Sequence, residues 1–229
     1  MSAEDRPDAG LPGRSGAGAV APLDAGAVRR LTAVTAGGGV ACFPADTVYG
    51  LACDPDDPEA VTRMAELKGR DPGKPDAVMF WDLERALAAI GPQPPAIERA
   101  LRALLPGPCG VLLPNPERRY AAACGEDPGT LGVRVPRLRE PVPDAPPVAQ
   151  TSANRAGGPD PVRLADVPAA VRAGCALALD GGRRPGVPST MVDLRPLATG
   201  GRWRLVRAGA VPTAILVAAL GAPPANDQR

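Results

Sequence analysis

The segment Phe43-Pro-Ala-Asp-Thr-Val-Tyr-Gly-Leu51 places a carboxylate, a hydroxyl and a glycine directly after a short apolar run that begins at Val40. The run from Val40 to Phe43 predicts a buried strand, and the polar residues after it predict a tight turn at Gly50. Ligand-binding residues are often carried by loops that follow rigid elements. We therefore expect this segment to form one wall of a binding site.

Two further stretches extend that site, Lys68-Gly-Arg70 and Thr151-Ser-Ala-Asn154. Read singly, the first is a solvated helix end and the second a turn or helix cap. Read together, they supply cations, hydroxyls and an amide at the ends of separate segments. Such groups suit a pocket for an anionic nucleotide and a small zwitterion.

Composition limits the class of protein. The chain has 229 residues, 45% of them hydrophobic, which is enough for one sizeable core, and we expect a single domain over residues 24–221 with tails at 1–23 and 222–229. The tail at 1–23 is predicted to be mobile. A net charge of +1 provides no global field for nucleic acid or membrane, so any anion site must be local.

The titratable residues exclude several chemistries. Histidine is absent, which rules out histidine triads and histidine metal ligands. The cysteines occur at no metal-binding spacing and are expected to be buried, reduced thiols: Cys42, Cys53, Cys109, Cys124 and Cys175. With no apolar signal core and no run of membrane-spanning length, we expect a cytoplasmic protein.

Periodicity predicts interleaved helices and strands. The predicted helices span residues 25–36, 58–67, 83–90, 95–105, 164–173 and 212–220. The predicted strands span residues 40–43, 77–81, 110–113, 131–135, 176–180, 190–194 and 203–206. Asp57 is expected to cap the second helix, with Pro58 at its first position. The order lacks strict βαβ regularity and favours a mixed α/β sheet.

A nucleotide cannot be held by a phosphate loop here, because no GxxxxGK[ST] sequence is present. Side-chain cations and hydroxyls must hold it instead, and the candidates are Lys68, Arg70, Arg134, Ser152, Asn154, Ser189 and Arg207. Alternative interpretations remain: Arg134 lies between two valines and can face solvent from a strand, and Asp46 and Tyr49 can simply shape the turn before Gly50.

The chain resembles the YrdC/Sua5 family of threonylcarbamoyl-AMP synthases, in its short single-domain form. The resemblance covers roughly Asp24 to Pro212 and rests on seven ordered blocks: Pro44-Ala-Asp-Thr-Val-Tyr-Gly-Leu51, Lys68-Gly-Arg70, Pro106-Gly-Pro108, Gly132-Val-Arg-Val-Pro136, Thr151-Ser-Ala-Asn154, Ser189-Thr-Met-Val-Asp193 and Val206-Arg-Ala-Gly209. It implies a single-domain α/β fold (α+β), YrdC/RibB-like, with a twisted, largely open mixed sheet, flanking helices and a deep basic cavity.

The resemblance also implies an enzyme, a nucleotidyltransferase. It would join L-threonine, bicarbonate and ATP into threonylcarbamoyl-AMP and pyrophosphate, and the product would feed t6A modification at tRNA position 37 through downstream transferase proteins. In that chemistry the amine takes up CO2 as a carbamate, whose oxygen attacks the α-phosphorus. Positioning and charge neutralisation can supply most of the catalysis, so no histidine is required.

Site residues carried over from the family fall into three groups. Threonine or its carbamate would contact Thr47, Arg134, Ser152 and Ser189. ATP would contact Arg70, Lys74, Thr130, Asn154 and Arg207. The catalytic KxR and SxN set would be Lys68, Arg70, Ser152 and Asn154. Mg2+ would travel with the triphosphate, with no dedicated metal site. Because Lys68 and Arg70 end an element, we expect alanine substitutions there to abolish turnover and spare folding.

Four positions depart from the residues common in the family. Ala45, Gly110 and Val162 stand where threonine is common, and Asp76 stands where leucine is common. Each hydrogen bond lost to a charged group costs about 1.5–3 kcal/mol, so a weaker or altered enzyme is one expectation.

Two rival functions stay open. One is a divergent paralogue that binds double-stranded RNA or nucleotide without synthesis, although the even charge balance gives it little support. The other is carbamoyl-adenylate chemistry, with carbamoyl phosphate in place of threonine and bicarbonate.

Overall fold

The computed structural model describes residues 23–223 of the chain. The predicted tails at 1–23 and 222–229 lie almost entirely outside the described residues. The α-helices are α1 Ala25–Ala36, α2 Pro58–Lys68, α3 Leu83–Ile90, α4 Pro95–Leu104, α5 Ala169–Ala173 and α6 Thr213–Leu220. The strands are β1 Ala41–Pro44, β2 Tyr49–Cys53, β3 Ala77–Met79, β4 Cys109–Pro114, β5 Thr130–Arg134, β6 Val148–Ser152, β7 Leu177–Ala178, β8 Thr190–Asp193 and β9 Arg204–Arg207.

All of these strands form one mixed sheet in the order β7-β1-β2-β6-β3-β5-β4-β8-β9. The pairs β1–β7, β3–β5 and β4–β8 are parallel, and the other neighbours are antiparallel. The predicted mixed α/β fold is therefore confirmed. Strands distant in sequence become neighbours: β2 pairs with β6, which places Gly50 and Leu51 beside Ser152 and Thr151.

Helix α2 begins where the sequence predicts and ends one residue later than predicted, at Lys68. The Asp57 carboxylate accepts hydrogen bonds from the backbone N–H groups of Glu59 and Ala60, at 2.9 and 3.1 Å. Pro58 follows at the first helical position, where its missing N–H costs nothing. Gly69 ends the helix in the left-handed conformation, with φ 60° and ψ 42°, which glycine adopts without strain.

The core consists of two apolar clusters. The larger one joins buried residues of α2, α3, α4 and α6 to strand residues such as Leu51, Val111 and Val133. The smaller one packs α1, through Val28 and Leu31, against residues that include β1 and β3 side chains. The cysteines are free thiols, all buried except the half-buried Cys175. Within residues 23–223, no helix has both the length and the apolar character needed to cross a membrane.

Three local predictions differ from the structure. The turn expected at Gly50 is wrong, because Gly50 lies inside β2, where a Cβ would stand 2.8 Å from Gln150 Nε2 and 3.0 Å from the Thr151 carbonyl. Strand β6 was not predicted at all. The helix expected over 164–173 is divided into a 3-10 turn, Leu164–Asp166, and α5, because Pro168 cannot donate a helical hydrogen bond.

Candidate active site

A cavity of about 250 Å³ opens above the middle of the sheet, where β5, β6, β8 and β9 approach the turn between β1 and β2. It is lined by Thr47, Val48, Arg70, Pro75, Asp76, Ala77, Arg134, Gln150, Thr151, Ser152, Asp160, Pro188, Ser189, Met191 and Arg207. Residues from all three quoted stretches therefore meet in one cavity.

Arg134, at the end of β5, is only 4% exposed and faces the cavity rather than bulk solvent. Its Nη1 donates to Gln150 Oε1 at 2.9 Å, and its Nη2 donates to Asp46 Oδ1 at 2.7 Å. Its Nε is buried and has no hydrogen-bond partner in the described part of the chain. The solvent-facing alternative for Arg134 is thereby excluded, and one edge of the guanidinium remains unpaired.

Thr47 lines the cavity with its hydroxyl buried. The residue is 2% exposed, and Thr47 Oγ1 finds no hydrogen-bond partner within residues 23–223. A buried hydroxyl without a partner costs on the order of 1–3 kcal/mol. A ligand oxygen in the cavity would offset that cost.

Arg70 leaves α2 after Gly69 and reaches the cavity as part of a buried ion pair. Its Nη2 lies 2.7 Å from Asp76 Oδ1, and its Nη1 donates to Thr151 Oγ1 at 3.4 Å. Its Nε, like that of Arg134, lacks a partner among the residues described. Burial raises the pKa of the Asp76 carboxyl, while the Arg70 guanidinium opposes that shift.

Lys68, which the resemblance places in the catalytic set, does not line the cavity, and the alternative of a solvated helix end is excluded by its burial. The residue is 3% exposed, and its Nζ donates to the Ser152 carbonyl, to the Asn154 carbonyl at 3.0 Å and to Asn154 Oδ1 at 2.9 Å. Burial and the nearby Arg70 charge lower the pKa of Lys68 to about 8. Lys68 therefore holds the loop after β6 in place from behind the cavity wall.

The same loop is held from within. Ser152 Oγ donates to Asn154 Oδ1 at 2.7 Å, and Asn154 Nδ2 donates to the Gly158 carbonyl at 2.6 Å. Of this pair only Ser152 lines the cavity. Asn154 Oδ1 thus accepts from both Ser152 and Lys68, which fixes the orientation of the Ser152 hydroxyl.

Ser189 and Arg207 form the opposite side of the cavity. Arg207 Nη2 donates to the Ser189 carbonyl at 2.8 Å and to Ser189 Oγ at 3.2 Å. Burial lowers the pKa of Arg207, and the second guanidinium, Arg134, adds to that shift. The two arginines therefore face the same space.

Besides Asn154, two predicted ATP ligands lie apart from the cavity lining. Thr130 begins β5, about 13 Å along the strand from Arg134, and its Oγ1 accepts a hydrogen bond of 2.7 Å from Arg195 Nη1. Lys74 is exposed beside Pro75 at the rim, and its carbonyl accepts a bond of 3.3 Å from Arg70 Nη2. The cavity lining includes neither residue, although Lys74 directly precedes the lining residue Pro75.

The charge of the cavity is more balanced than the expected basic cavity. Its lining contains the guanidinium groups of Arg70, Arg134 and Arg207 and the carboxylates of Asp76 and Asp160. In residues 23–223, no group of three or more cysteine, aspartate and glutamate side chains is placed to hold a metal ion.

Several site residues escaped the sequence interpretation. Asp46 and Gln150 hold the Arg134 guanidinium, and Asp76 holds that of Arg70. Gln150 was detectable in principle, because residues 150 and 152 share one face of a strand, but that signal depends on recognising β6. Asp46 was assigned only to the turn.

The departures from the family pattern divide into two groups. Asp76 and Gly110 lie at the cavity, the first in its lining and the second beneath Met191. Ala45 and Val162 lie outside the lining; their carbonyls accept bonds from Arg184 Nη1 at 3.4 Å and from the Arg184 backbone N–H at 2.7 Å.

Comparison with known proteins agrees with this architecture. The threonylcarbamoyl-AMP synthase of Chromohalobacter salexigens is 37% identical over 169 residues, which are 69% of this chain and 87% of that protein. The putative threonylcarbamoyl-AMP synthase of Mycobacterium tuberculosis is 30% identical over 206 residues, 88% of this chain and 92% of that protein.

A solved structure shares the fold. The crystal structure of P. abyssi Sua5 complexed with L-threonine superposes with a TM-score of 0.75 at 28% identity, over 85% of this chain and 57% of that one. This chain thus spans little more than half the length of the P. abyssi protein. The family model for Sua5, YciO and YrdC, described as telomere recombination, matches residues 33–209. The chain therefore belongs to the Sua5/YciO/YrdC family.

Proposed function

We propose that this protein is an L-threonylcarbamoyl-AMP synthase, a nucleotidyltransferase that makes threonylcarbamoyl-AMP and pyrophosphate from L-threonine, bicarbonate and ATP. One observation carries the proposal. Thr47 Oγ1, Arg70 Nε and Arg134 Nε are buried donors on three separate segments, and all three residues line one cavity without satisfying these atoms from residues 23–223. Such donors suit a ligand with several anionic oxygens.

We assign the part of the cavity beside Arg134 to the amino acid substrate. A carboxylate or carbamate placed there would accept from Arg134 Nε and from the Thr47 and Ser189 hydroxyls. Ser152 donates its proton to Asn154, so its oxygen would instead accept from the amine or the hydroxyl of threonine. The related P. abyssi protein is described in complex with L-threonine, which supports an amino acid site in this fold.

We assign the binding of the nucleotide to Arg70 and Arg207 and, at the rim of the cavity, to Lys74. Guanidinium groups bind phosphate oxygens in a fixed fork, and lysine adds a point charge. Thr130 is left out of the assignment because it lies outside the cavity lining, at the far end of β5, where its hydroxyl accepts from Arg195. Asn154 acts indirectly, by orienting Ser152.

The reaction then requires little covalent chemistry from the protein. Bicarbonate gives CO2 and hydroxide, and the threonine amine attacks the CO2 to form a C–N bond while its proton passes to the hydroxide, which leaves as water. A carbamate oxygen next attacks the α-phosphorus. The bond between the α-phosphorus and the oxygen that bridges to the β-phosphorus then breaks, which releases pyrophosphate. Arg70 and Arg207 would stabilise charge on the phosphates, and Arg134 would orient the carbamate end.

Mg2+ would arrive with the triphosphate rather than in a protein cage. Mg2+ is usually bound by substrate phosphates with one or two carboxylates. Asp76 and Asp160 are the lining carboxylates, and Asp76 is already engaged by Arg70. When bound, the ion would neutralise charge on the phosphate oxygens.

In a cell, the product would pass to proteins that transfer the threonylcarbamoyl group to tRNA position 37, and we propose a cytoplasmic location for this step. Direct contact with tRNA or double-stranded RNA is not required by the chemistry of the cavity.

A pyrophosphate-release assay tests the proposal against its rivals. The purified chain is incubated with ATP, Mg2+ and bicarbonate, and with each amino acid or with carbamoyl phosphate. Release that requires L-threonine and bicarbonate supports the synthase. Release that requires carbamoyl phosphate supports carbamoyl-adenylate chemistry, and no release together with RNA binding in a filter assay supports the non-catalytic paralogue.

A further inference from the structure

Four neighbouring strands contribute one row of residues to the cavity floor. Arg134 on β5 is the register partner of Gly110 on β4, Gly110 is the partner of Met191 on β8, and Met191 is the partner of Arg207 on β9. Register partners on adjacent strands lie side by side on one face of a sheet. The floor therefore has a guanidinium group at each end, with Gly110 and Met191 between them.

Gly110 creates the space that Met191 fills. A Cβ at position 110 would overlap Met191 Sδ and would lie 3.1 Å from Met191 Cε and 3.3 Å from Arg134 Cγ. A side chain at this position therefore cannot coexist with the present position of the thioether. The position of the Met191 thioether therefore depends on the absence of a side chain at position 110.

Met191 is half-buried, and its remaining surface faces the cavity. Most of the other residues that line the cavity are polar or charged, including Ser189, which directly precedes β8. Thioethers are polarizable and adapt to small apolar groups. The floor between the arginines is thus an apolar patch within a polar cavity.

We propose that Met191, supported on Gly110, is a specificity-determining residue for the amino acid substrate. The inference rests on the proposed function: when the carboxylate end of the amino acid lies by Arg134, its apolar side-chain atoms rest on the Met191 thioether. For threonine these atoms are the γ-methyl group. The patch distinguishes threonine from serine, which lacks that methyl group. Because Gly110 has no side chain, the thioether lies against the sheet, and the space above it remains free for the substrate.

The first test is the ratio of kcat/KM for threonine to kcat/KM for serine. Burial of one methyl group against the thioether corresponds to about a fourfold preference. In Met191→Ala the ratio is expected to fall by about fourfold, whereas Met191→Leu, which keeps an apolar side chain, is expected to retain most of it. Val217→Ala, on the exposed surface of α6, serves as the matched control and is expected to leave the ratio unchanged.

The second test is the coupling between positions 110 and 191. Gly110→Ala should displace the thioether into the cavity and raise KM for threonine by about tenfold, with KM for ATP changed less than threefold. The double variant Gly110→Ala/Met191→Ala should recover most of the loss, because the displaced side chain is gone. Circular dichroism and the melting temperature of each variant separate loss of folding from loss of binding.

The outcomes distinguish this inference from the proposed function. If the wild-type chain shows no threonine-dependent pyrophosphate release, the proposed function fails first, and this inference fails with it. If the wild type is active but Met191→Ala keeps the threonine-to-serine ratio within 1.5-fold of wild type, the inference alone is overturned. A folded double variant that shows no recovery would also overturn it.

Discussion

At the scale of single residues, the site depends on two arginines, Arg70 and Arg134, whose guanidinium groups are each paired with a carboxylate on one side. Asp76 holds Nη2 of Arg70, and Asp46 holds Nη2 of Arg134, both at 2.7 Å. Each carboxylate fixes one edge of a guanidinium group and leaves Nε without a partner among the described residues. The ion pairs therefore orient the cations, and they also reduce the positive charge that an anion would meet.

Asp76 allows these two effects to be separated. In Asp76→Asn, an amide oxygen can still accept from Arg70 Nη2, but the negative charge beside the anion site is gone. One charge removed near the phosphates is worth ~1.4 kcal/mol or more at an effective dielectric constant of 20, so pyrophosphate should bind about tenfold more tightly. Titration calorimetry with pyrophosphate measures this change.

Asp76→Ala gives the complementary result. It removes both the charge and the hydrogen bond that orients Arg70, so its affinity for pyrophosphate should fall below that of Asp76→Asn. Asp144→Asn, at an exposed position, controls for net charge. Equal affinities for wild type and Asp76→Asn would show that the carboxylate does not influence the anion site.

Lys68 provides a pH prediction. Burial lowers its pKa from 10.5 to about 8, so the folded protein binds fewer protons at this residue than the unfolded chain between those two values. Its contribution to the free energy of unfolding therefore increases as pH rises through that window, because the unfavourable buried charge is lost.

The titration can be followed directly, since Lys68 and Lys74 are the two lysines of the sequence. With 13C-labelled lysine, NMR should show one side-chain signal with a midpoint near pH 8. Lys74→Arg should leave that signal in place and thereby assign it. A midpoint near 10.5 for Lys68 would mean that the ammonium group is solvated rather than buried.

Burial also changes what a substitution at Lys68 is expected to do. Lys68→Ala would leave the Ser152 and Asn154 carbonyls without their ammonium donor, so some loss of stability should accompany the loss of activity. Arg70→Ala leaves the Asp76 carboxylate buried without its ionic partner and should also destabilise the protein. The expectation that both variants spare folding is therefore revised.

At the scale of elements, the ends of α2 and β6 meet behind the cavity wall. The Ala156 backbone N–H donates to the Lys68 carbonyl at 2.9 Å, and Lys68 Nζ binds the loop after β6. The position of Arg70 thus depends on how α2 ends at Gly69 and on the loop that Lys68 holds.

Gly69→Ala tests that dependence. Alanine in the left-handed conformation costs about 1–2 kcal/mol, and its Cβ would stand 2.7 Å from Arg155 Nη2. We expect a lower free energy of unfolding by urea denaturation together with weaker pyrophosphate binding, because residues 68 and 70 flank the change.

Gly69→Asn is the matched variant, since asparagine accepts the left-handed conformation more readily. It meets the same flexible Arg155 side chain but should lose less stability than Gly69→Ala. If both variants lose the same stability, backbone conformation at position 69 is not the cause.

The elements also show what the sequence can and cannot predict. Helices α1, α3 and α6 lie within one residue of the predicted bounds, because capping residues, glycines and apolar periodicity are local signals. Strand β6 was missed because its polar residues face the cavity rather than solvent. Strand β2 was missed because Gly50, which lies within a fully buried strand, was interpreted as a turn.

The residues of the candidate site likewise divide into those that local sequence signals predict and those that depend on tertiary structure. Residues recognised through short motifs, such as Arg134 and Ser152, do reach the cavity, whereas Thr130 does not. Partners such as Gln150 and Met191 depend on the pairing of strands distant in sequence. That pairing is a tertiary property and leaves no local signal.

At the scale of the whole molecule, the pairing of strands within one sheet brings the site residues together. The register from β5 through β4 and β8 to β9 places Arg134 and Arg207 on a common floor, while the β6 end and the turn at Thr47 form the adjacent walls. The central claim is that this single cavity joins an amino acid, inorganic carbon and a nucleotide in one product.

The most direct test is an isotope-tracing measurement of that product. The chain is incubated with ATP, Mg2+, L-threonine and 13C-bicarbonate, and the adenylates formed are identified by mass spectrometry. The account predicts a threonylcarbamoyl-AMP that carries one 13C atom and forms in step with pyrophosphate. An adenylate that contains threonine but no 13C, or no adenylate from a folded protein that still binds ATP, would contradict it.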